Sequence, residues 1–165
     1  MIVRLLCVLV LALSVALPPL EASAFGSRSS SSSSSKSKAK TAQPALERNY
    51  AQGVKAVDKK DWNLAVFHLY KAVAADPTNA DAQNWLGYSY RKLKDFDSAF
   101  AAYGEALSID AKHKGAHEYI GEAYLMTGNL AKAEEHLAAL AELCPKGCEE
   151  REDLAEMVAE FKARS

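Results

Sequence analysis

The fold of this protein is decided by residues 80–110, which read ADAQNWLGYSYRKLKDFDSAFAAYGEALSID. Related copies stand before and after this stretch at a constant step of 34 residues, which brings three glycines and three alanines into register. The residues in register are Gly53, Gly87 and Gly121, and Ala65, Ala99 and Ala133. A period of this length indicates one supersecondary unit copied three times.

Large apolar residues follow the same step. They are Trp62, Phe96 and Leu130 at one site, and Leu69, Tyr103 and Leu137 at another. Small residues at one point of each copy let two helices approach closely, and large residues elsewhere fill the space around that contact. Each unit is therefore predicted to be a helical hairpin.

The turn inside each hairpin carries polar capping residues. Asp61, Asp95 and Asn129 are predicted to cap the second helices, because their side chains can accept a hydrogen bond from the first helical turn. The residue before each cap is predicted to be left-handed. Gly128 adopts that conformation without steric cost, whereas Lys60 and Lys94 stand there in the earlier copies.

The repeats resemble the tetratricopeptide repeat (TPR) family, whose pattern is Leu-Gly and Tyr on a first helix, then Ala, an aromatic residue, Ala and Pro on a second. The matching residues are Leu86, Gly87, Tyr90, Ala99, Tyr103 and Ala106 in the second copy and Ile120, Gly121, Tyr124, Ala133, Leu137 and Pro145 in the third. The first copy departs from the pattern, with Gln52 in place of Leu and Ala56 in place of Tyr.

This resemblance implies an all-α fold. The expected architecture is a right-handed superhelical stack of three TPR hairpins plus a C-terminal capping helix. The repeats are expected at about residues 46–79, 80–113 and 114–147, and the capping helix at 149–163. Leu154, Met157, Val158 and Phe161 give that helix one apolar stripe, as the end of a repeat stack requires.

The N-terminal residues 1–24 are predicted to be an export signal. Arg4 precedes the apolar run 5–17, and Ala22–Ala24 is a small-residue cleavage site. An uncleaved anchor is disfavoured because a membrane span needs about 20 apolar residues. We therefore expect an exported, periplasmic protein with no membrane span after cleavage.

Residues 25–44 are predicted to be a disordered tether before a TPR domain at 45–165. Seven consecutive serines occupy 29–35, and such a composition buries too little apolar surface to offset its ordering entropy. Its lysines are interpreted as part of a soluble spacer, and contact with an anionic surface is the alternative. The chain's net charge of -1 gives no bulk field that would favour nucleic acid.

Two cysteines follow the signal, Cys144 and Cys148. In an exported chain this pair is predicted to form a disulfide that joins the last helix to the third repeat. A redox-active or metal-binding pair is the alternative, but the two-residue spacing of thioredoxin-like sites is absent.

Catalysis is not indicated by any motif in the chain. His117 and Glu118 begin like a zinc-protease motif, but the second histidine would fall at Gly121. A metal site made of His113 and His117 remains an alternative to structural roles for both. No nucleophile motif or phosphate loop is present, so the sequence predicts a protein without enzymatic activity and without a cofactor.

In the TPR family the first helices of successive hairpins line a concave groove that receives a peptide or helix of another protein. Carried over to this chain, the resemblance implies a groove of Tyr50, Val54, Val57, Asn84, Tyr88, Arg91, Lys92, Glu118, Glu122, Leu125 and Met126. Its expected character is an apolar strip with acidic flanks and a basic centre at Arg91 and Lys92. Such a surface would suit a segment with apolar anchors and mixed charge, but not simple capture of an acidic tail.

The leading functional hypothesis is therefore an exported, non-enzymatic adaptor or assembly factor that holds another envelope protein. A thiol-redox or metal-handling factor that uses Cys144 and Cys148 is the alternative from a different class. A third possibility is a structural subunit whose groove is filled by its own tether or by another copy.

Overall fold

A computed structural model describes residues 47–164, which form seven helices and no strand. The helices are α1 (47–58), α2 (Trp62–Ala75), α3 (Ala80–Lys92), α4 (Phe96–Ile109), α5 (Lys114–Met126), α6 (Leu130–Leu143) and α7 (Glu149–Arg164). The all-α fold expected from the sequence is confirmed. The predicted signal peptide 1–24 and tether 25–44 lie outside the described residues. None of the seven helices is long and apolar enough to span a bilayer.

The predicted caps of the second helices are confirmed. Asp61, Asp95 and Asn129 each accept a hydrogen bond of 3.2 Å from the backbone N–H three residues further on. Asn79 does the same for α3 at 2.8 Å, and His113 caps α5 through its Nδ1 at 3.0 Å. Each cap satisfies one of the backbone donors that a helix start leaves without a partner.

The turns before these caps also follow the prediction. Lys60 has a φ of 58° and Lys94 a φ of 64°, while Gly128 has a φ of 82°. The first two hairpins therefore place a lysine in a conformation that glycine adopts without a steric penalty.

The glycines in register mark the closest helix contacts. A Cβ atom on Gly53 would lie 2.6 Å from Leu69, and one on Gly87 would lie 2.7 Å from the Tyr103 ring. Both contacts join the two helices of one hairpin. These distances are too short for any side chain, so glycine is required there.

The third hairpin is built differently. A Cβ atom on Gly121 would lie 2.6 Å from Leu154 of α7, which is nearer than Leu137, the residue that matches Leu69 and Tyr103 in the sequence. Leu137 is half-buried at the edge of the core formed by α5, α6 and α7. In the third hairpin the closest contact of Gly121 is therefore made by α7, and Leu137 packs in the same core.

Helix α7 closes this end of the stack. Leu154 stands 34 residues after Ile120, so α7 continues the register as though it began a fourth unit. Leu154 is fully buried and Val158 nearly so, whereas its glutamates at 152, 156 and 160 are exposed. A disulfide joins Cys144 and Cys148 at the start of α7, with their Cα atoms 6.0 Å apart.

Candidate functional site

The first helices of successive hairpins lie side by side, with α5 in contact with both α3 and α7. A concave pocket of about 340 Å³ opens between these three helices. We call it the acidic pocket, because five of the residues that line it are carboxylates. They are Asp81 at α3, Glu118 on α5, and Glu149, Glu150 and Asp153 on α7.

Asn84 is the most enclosed polar residue of the acidic pocket. Only 4% of its surface is exposed, and its Oδ1 accepts no hydrogen bond from any described residue. Gly115 lies beside it, and a Cβ atom there would come within 3.3 Å of Asn84 Nδ2. A buried acceptor without a partner is uncommon in proteins and costs about 1–3 kcal/mol, so its presence calls for an explanation.

Glu118 is also buried, with 8% of its surface exposed, and it forms no ion pair with a described residue. Burial raises its pKa to about 8, and the charges of Glu122, Asp153 and Glu150 contribute in the same direction. The sequence-based prediction had placed it on the open surface of the groove. The structure turns it into the interior because α7 covers this part of α5.

His113 holds one side of the pocket. Its Nδ1 accepts the N–H of Ala116, so in the neutral ring Nε2 carries the proton and donates to Asp81 Oδ1 at 3.1 Å. Lys114 pairs with Glu150 at 3.2 Å at the rim. The remaining carboxylates of the pocket have no cation of their own among the described residues, which leaves the pocket electronegative.

Next to the acidic pocket lies a group of four aromatic side chains that we call the aromatic cluster. Tyr88 is its centre, with ring centroids 5.5 Å from Trp85, 5.9 Å from Trp62 and 4.9 Å from Tyr119. The ammonium of Lys92 lies 4.9 Å from the Tyr88 ring and its side chain is exposed. Half-buried aromatic rings beside a free cation are typical of surfaces that bind protein segments.

Arg91 does not provide the exposed basic centre that the sequence indicated. The residue is 2% exposed, one Nη donates to Glu122, and Nε donates to the Tyr103 hydroxyl at 3.3 Å. A buried guanidinium needs such partners to offset its desolvation. The expected positive centre of the groove is therefore reduced to Lys92, and Glu122 is neutralised by the same pair.

Two residues of the expected apolar strip are core residues instead. Val57 is 7% exposed and packs with Leu69 and Leu86, while Leu125 is 6% exposed and packs with Leu140 and Leu154. On each helix the predicted groove residues lie next to the core residues. A small rotation of the helix is therefore enough to bury the groove residues at that boundary. Tyr50 and Val54 are half-buried on α1, and Met126 is 48% exposed on α5.

Sequence reasoning missed the acids in the first turn of α7, because that helix had been expected only to cap the stack. The 34-residue step could have found them, because it places α7 where the next first helix would stand. The structure also places Trp85 and Tyr119, which the predicted groove did not include, in the wall of the acidic pocket.

The histidines do not assemble as the metal alternative requires. His113 contacts Asp81, whereas His117 on α5 faces α6, with its Nδ1 2.9 Å from His136 Nδ1. In the part of the chain that the structure describes, no three His, Cys, Asp or Glu side chains converge as metal ligands. A site made of His113 and His117 is therefore not formed.

Residues 58–140, half of the chain, match the model of a family described as anaphase-promoting complex, cyclosome, subunit 3. Two proteins of Schizosaccharomyces pombe are similar. Anaphase-promoting complex subunit 3 is 23% identical over 61% of this chain and 13% of its own length. Anaphase-promoting complex subunit cut9 is 31% identical over 44% of this chain and 12% of its own length. The chain thus spans only a small part of these relatives.

Solved TPR structures share the fold. The TPR2B domain of yeast Sti1 in complex with an Hsp70 peptide superposes with a TM-score of 0.68 and 19% identity, covering 73% of this chain and 98% of that chain. PcrH in complex with the chaperone-binding region of PopD superposes with a TM-score of 0.67 and 20% identity, covering 74% of this chain and 94% of that chain. The first TPR domain of RPAP3 bound to the HSP90 peptide SRMEEVD superposes with a TM-score of 0.64 and 20% identity, covering 72% of this chain and 94% of that chain.

Proposed function

This chain belongs to the TPR family described by the anaphase-promoting complex subunit 3 model, and on that premise we propose that it is a non-enzymatic adaptor or assembly factor. It binds a peptide or helical segment of another protein along the inner face of α3, α5 and α7. The observation that carries this proposal is the open concavity in which the acidic pocket adjoins the aromatic cluster. Concave surfaces with aromatic anchors and a few placed polar groups are the usual sites for such partners.

Related folds support a peptide as the ligand, but the chemistry here differs. PcrH is described with a region of PopD, and the RPAP3 domain with the peptide SRMEEVD, whose last residues are mostly acidic. An acidic tail would be repelled by the carboxylates of the acidic pocket. We therefore propose a segment with apolar anchors that is not acidic where it meets α7.

We further propose that the protein acts after export, in the periplasm, as its N-terminal sequence suggests. The Cys144–Cys148 bond is consistent with an oxidising compartment. Titration of free thiols in protein purified under native conditions tests this, and two reactive thiols per chain would contradict it. Cys148→Ser separates the thiol-factor alternative, which predicts lost activity at intact stability.

The groove is tested by selecting peptides from a displayed random library against the full chain. Tyr88→Ala is expected to weaken binding of the selected peptides at least about tenfold, since aromatic anchors dominate such interfaces. Phe67→Ala is the matched control, because Phe67 is also an aromatic residue but is 52% exposed on α2, outside the groove.

Circular dichroism melting of both variants accompanies the binding data, because Tyr88 is half-buried. Unchanged binding by a folded Tyr88→Ala protein would remove the groove from the proposal.

A further inference from the structure

We propose that the acidic pocket receives one basic side chain, an arginine guanidinium or a lysine ammonium, from the segment that the groove binds. This inference rests on the proposed function and deepens it, because it names the residue type that the partner must carry.

The charges of the acidic pocket give the first argument. Its lining contains five acidic side chains and no lysine or arginine, and among the described residues only Glu150 pairs with a lysine or arginine, Lys114 at the rim. The pKa of Glu118 is raised to about 8, and a cation beside it favours its ionised form. Both ring nitrogens of His113 are already engaged, Nδ1 with a backbone N–H and Nε2 with Asp81, so His113 pairs with none of the other carboxylates. A concave site lined by one sign of charge concentrates its field on a ligand of the opposite sign.

Asn84 gives a second and independent argument. Its side chain is 4% exposed, lines the pocket and leaves Oδ1 without a donor. A free acceptor at this depth gains most from a ligand that brings N–H groups with it. Guanidinium and ammonium groups bring five and three such donors, and have no acceptor that would oppose the carboxylates.

The walls of the pocket favour an organic cation over a metal ion. Trp85 and Tyr119 stand there with ring centroids 6.3 Å apart, and aromatic faces attract guanidinium and ammonium groups. The carboxylates do not converge into a set that could hold a metal ion within the described residues. A side chain that lies along the rings and ends at Asn84 and Glu118 satisfies all of these groups together.

The experiment uses the peptides selected against the full chain. Each basic residue of a selected peptide is replaced in turn, arginine by citrulline and lysine by acetyl-lysine, which remove the charge and keep most of the shape. One replacement is expected to weaken binding at least about tenfold, as loss of a charge-assisted hydrogen bond does. If the citrulline replacement causes the larger loss of affinity, the pocket receives arginine. If the acetyl-lysine replacement does, the pocket receives lysine.

Glu118→Gln is expected to cause a similar loss with the unmodified peptide and little further loss with the uncharged one. Glu105→Gln is the matched control, because Glu105 is exposed on α4 away from the pocket. Equal losses in both variants would overturn the proposal, since they would show only the effect of overall charge.

Asn84→Leu separates a binding role from a structural one. Removal of an acceptor without a partner is expected to leave the melting temperature unchanged or raised, while peptide affinity falls about tenfold. A folded Asn84→Leu protein with unchanged affinity would overturn the inference.

The proposed function and this inference fail in different ways. If no peptide is selected at all, the groove does not bind such segments and the function itself is wrong. If peptides bind but uncharged replacements have no effect, only the basic side chain is wrong.

The chain's own lysines Lys36, Lys38 and Lys40 are tested as competitors by changing all three to glutamine in the full chain. Unchanged affinity is expected. A gain of about tenfold or more would show that they fill the pocket themselves, and would overturn the claim that the partner is another protein.

Discussion

The second and third hairpins follow one sequence pattern but obtain their stability from different places. In the second, Gly87 packs on Tyr103 of the same hairpin, and Tyr103 in turn accepts a hydrogen bond from Arg91. In the third, Gly121 packs on Leu154 of α7, which follows the hairpin in the chain. The closest contact of the glycine in register therefore lies within the second hairpin, whereas in the third it is made by the neighbouring helix α7.

This difference is also where the candidate site arises. The helix that completes the third hairpin carries Glu149, Glu150 and Asp153, and these acids form one side of the acidic pocket. The contact that stabilises the end of the stack thus also shapes the groove.

Tyr103→Ala is expected to have the largest effect. It removes a fully buried ring and leaves the Arg91 Nε without its acceptor, so we expect a loss of about 3–5 kcal/mol in the free energy of unfolding. Denaturant unfolding followed by circular dichroism measures it. Tyr103→Phe is the control and should lose only about 1 kcal/mol, because the ring remains. Equal losses would show that the hydroxyl, and not the packing on Gly87, supports this hairpin.

Leu154→Ala is expected to lower the free energy of unfolding by about 2–5 kcal/mol, but to loosen the third hairpin instead of the second. Since Leu154 belongs to α7, amide hydrogen exchange should quicken first in α7 and α5 and leave α3 and α4 protected. Tyr103→Ala should instead expose α3 and α4. If Leu154→Ala speeds amide exchange in α3 and α4 as much as in α7, the two hairpins do not differ in the way described.

Acid should affect the third hairpin more than the second. Burial, aided by the charge of His117, lowers the pKa of His136 to about 4, whereas an unfolded histidine titrates near 6.5. Between these values the unfolded chain binds a proton that the folded chain does not, so stability falls as pH drops from about 6.5 to 4. The loss should be on the order of 1 kcal/mol at pH 5.

His136→Gln should remove this loss. Glu118 acts with the opposite sign, because its pKa is raised to about 8, so the measurement is the difference between the two proteins over this pH range. The equivalent positions of the second hairpin are Gln83 and Ala102, which do not titrate. If the difference in unfolding free energy between the two proteins does not change with pH, His136 is not the cause of the acid sensitivity.

The turns give the smallest expected effect. Lys94→Gly should stabilise the second hairpin by up to about 1 kcal/mol, because its φ of 64° suits glycine. Gly128→Ala at the equivalent turn should cost about 1 kcal/mol. Both are measured as shifts in the denaturation midpoint, and a gain in both variants would mean that φ does not decide the stability of these turns.

Much of the fold could be predicted because its signals are local. Asp61, Asp95 and Asn129 cap helices by bonds to N–H groups three residues away, and the left-handed turn at Gly128 requires only its own conformation. The 34-residue step adds register, which identifies a hairpin without knowledge of its contacts.

The groove was harder to predict because its residues were assigned by helical position alone. Arg91 and Lys92 are adjacent in sequence, yet one is 2% exposed and the other is exposed. The burial of Arg91 depends on Glu122, which lies 31 residues further along the chain. Val57 and Leu125 likewise turned inward because neighbouring helices cover them.

By itself the sequence determined that this chain forms repeated helical hairpins with defined caps and turns, since those features follow from interactions within a few residues and from a regular period. Only the tertiary structure decided which charges stay in water and which are buried. That outcome depends on desolvation and on partners from separate helices, as at Asn84, Glu118 and the first turn of α7, and no local pattern contains this information.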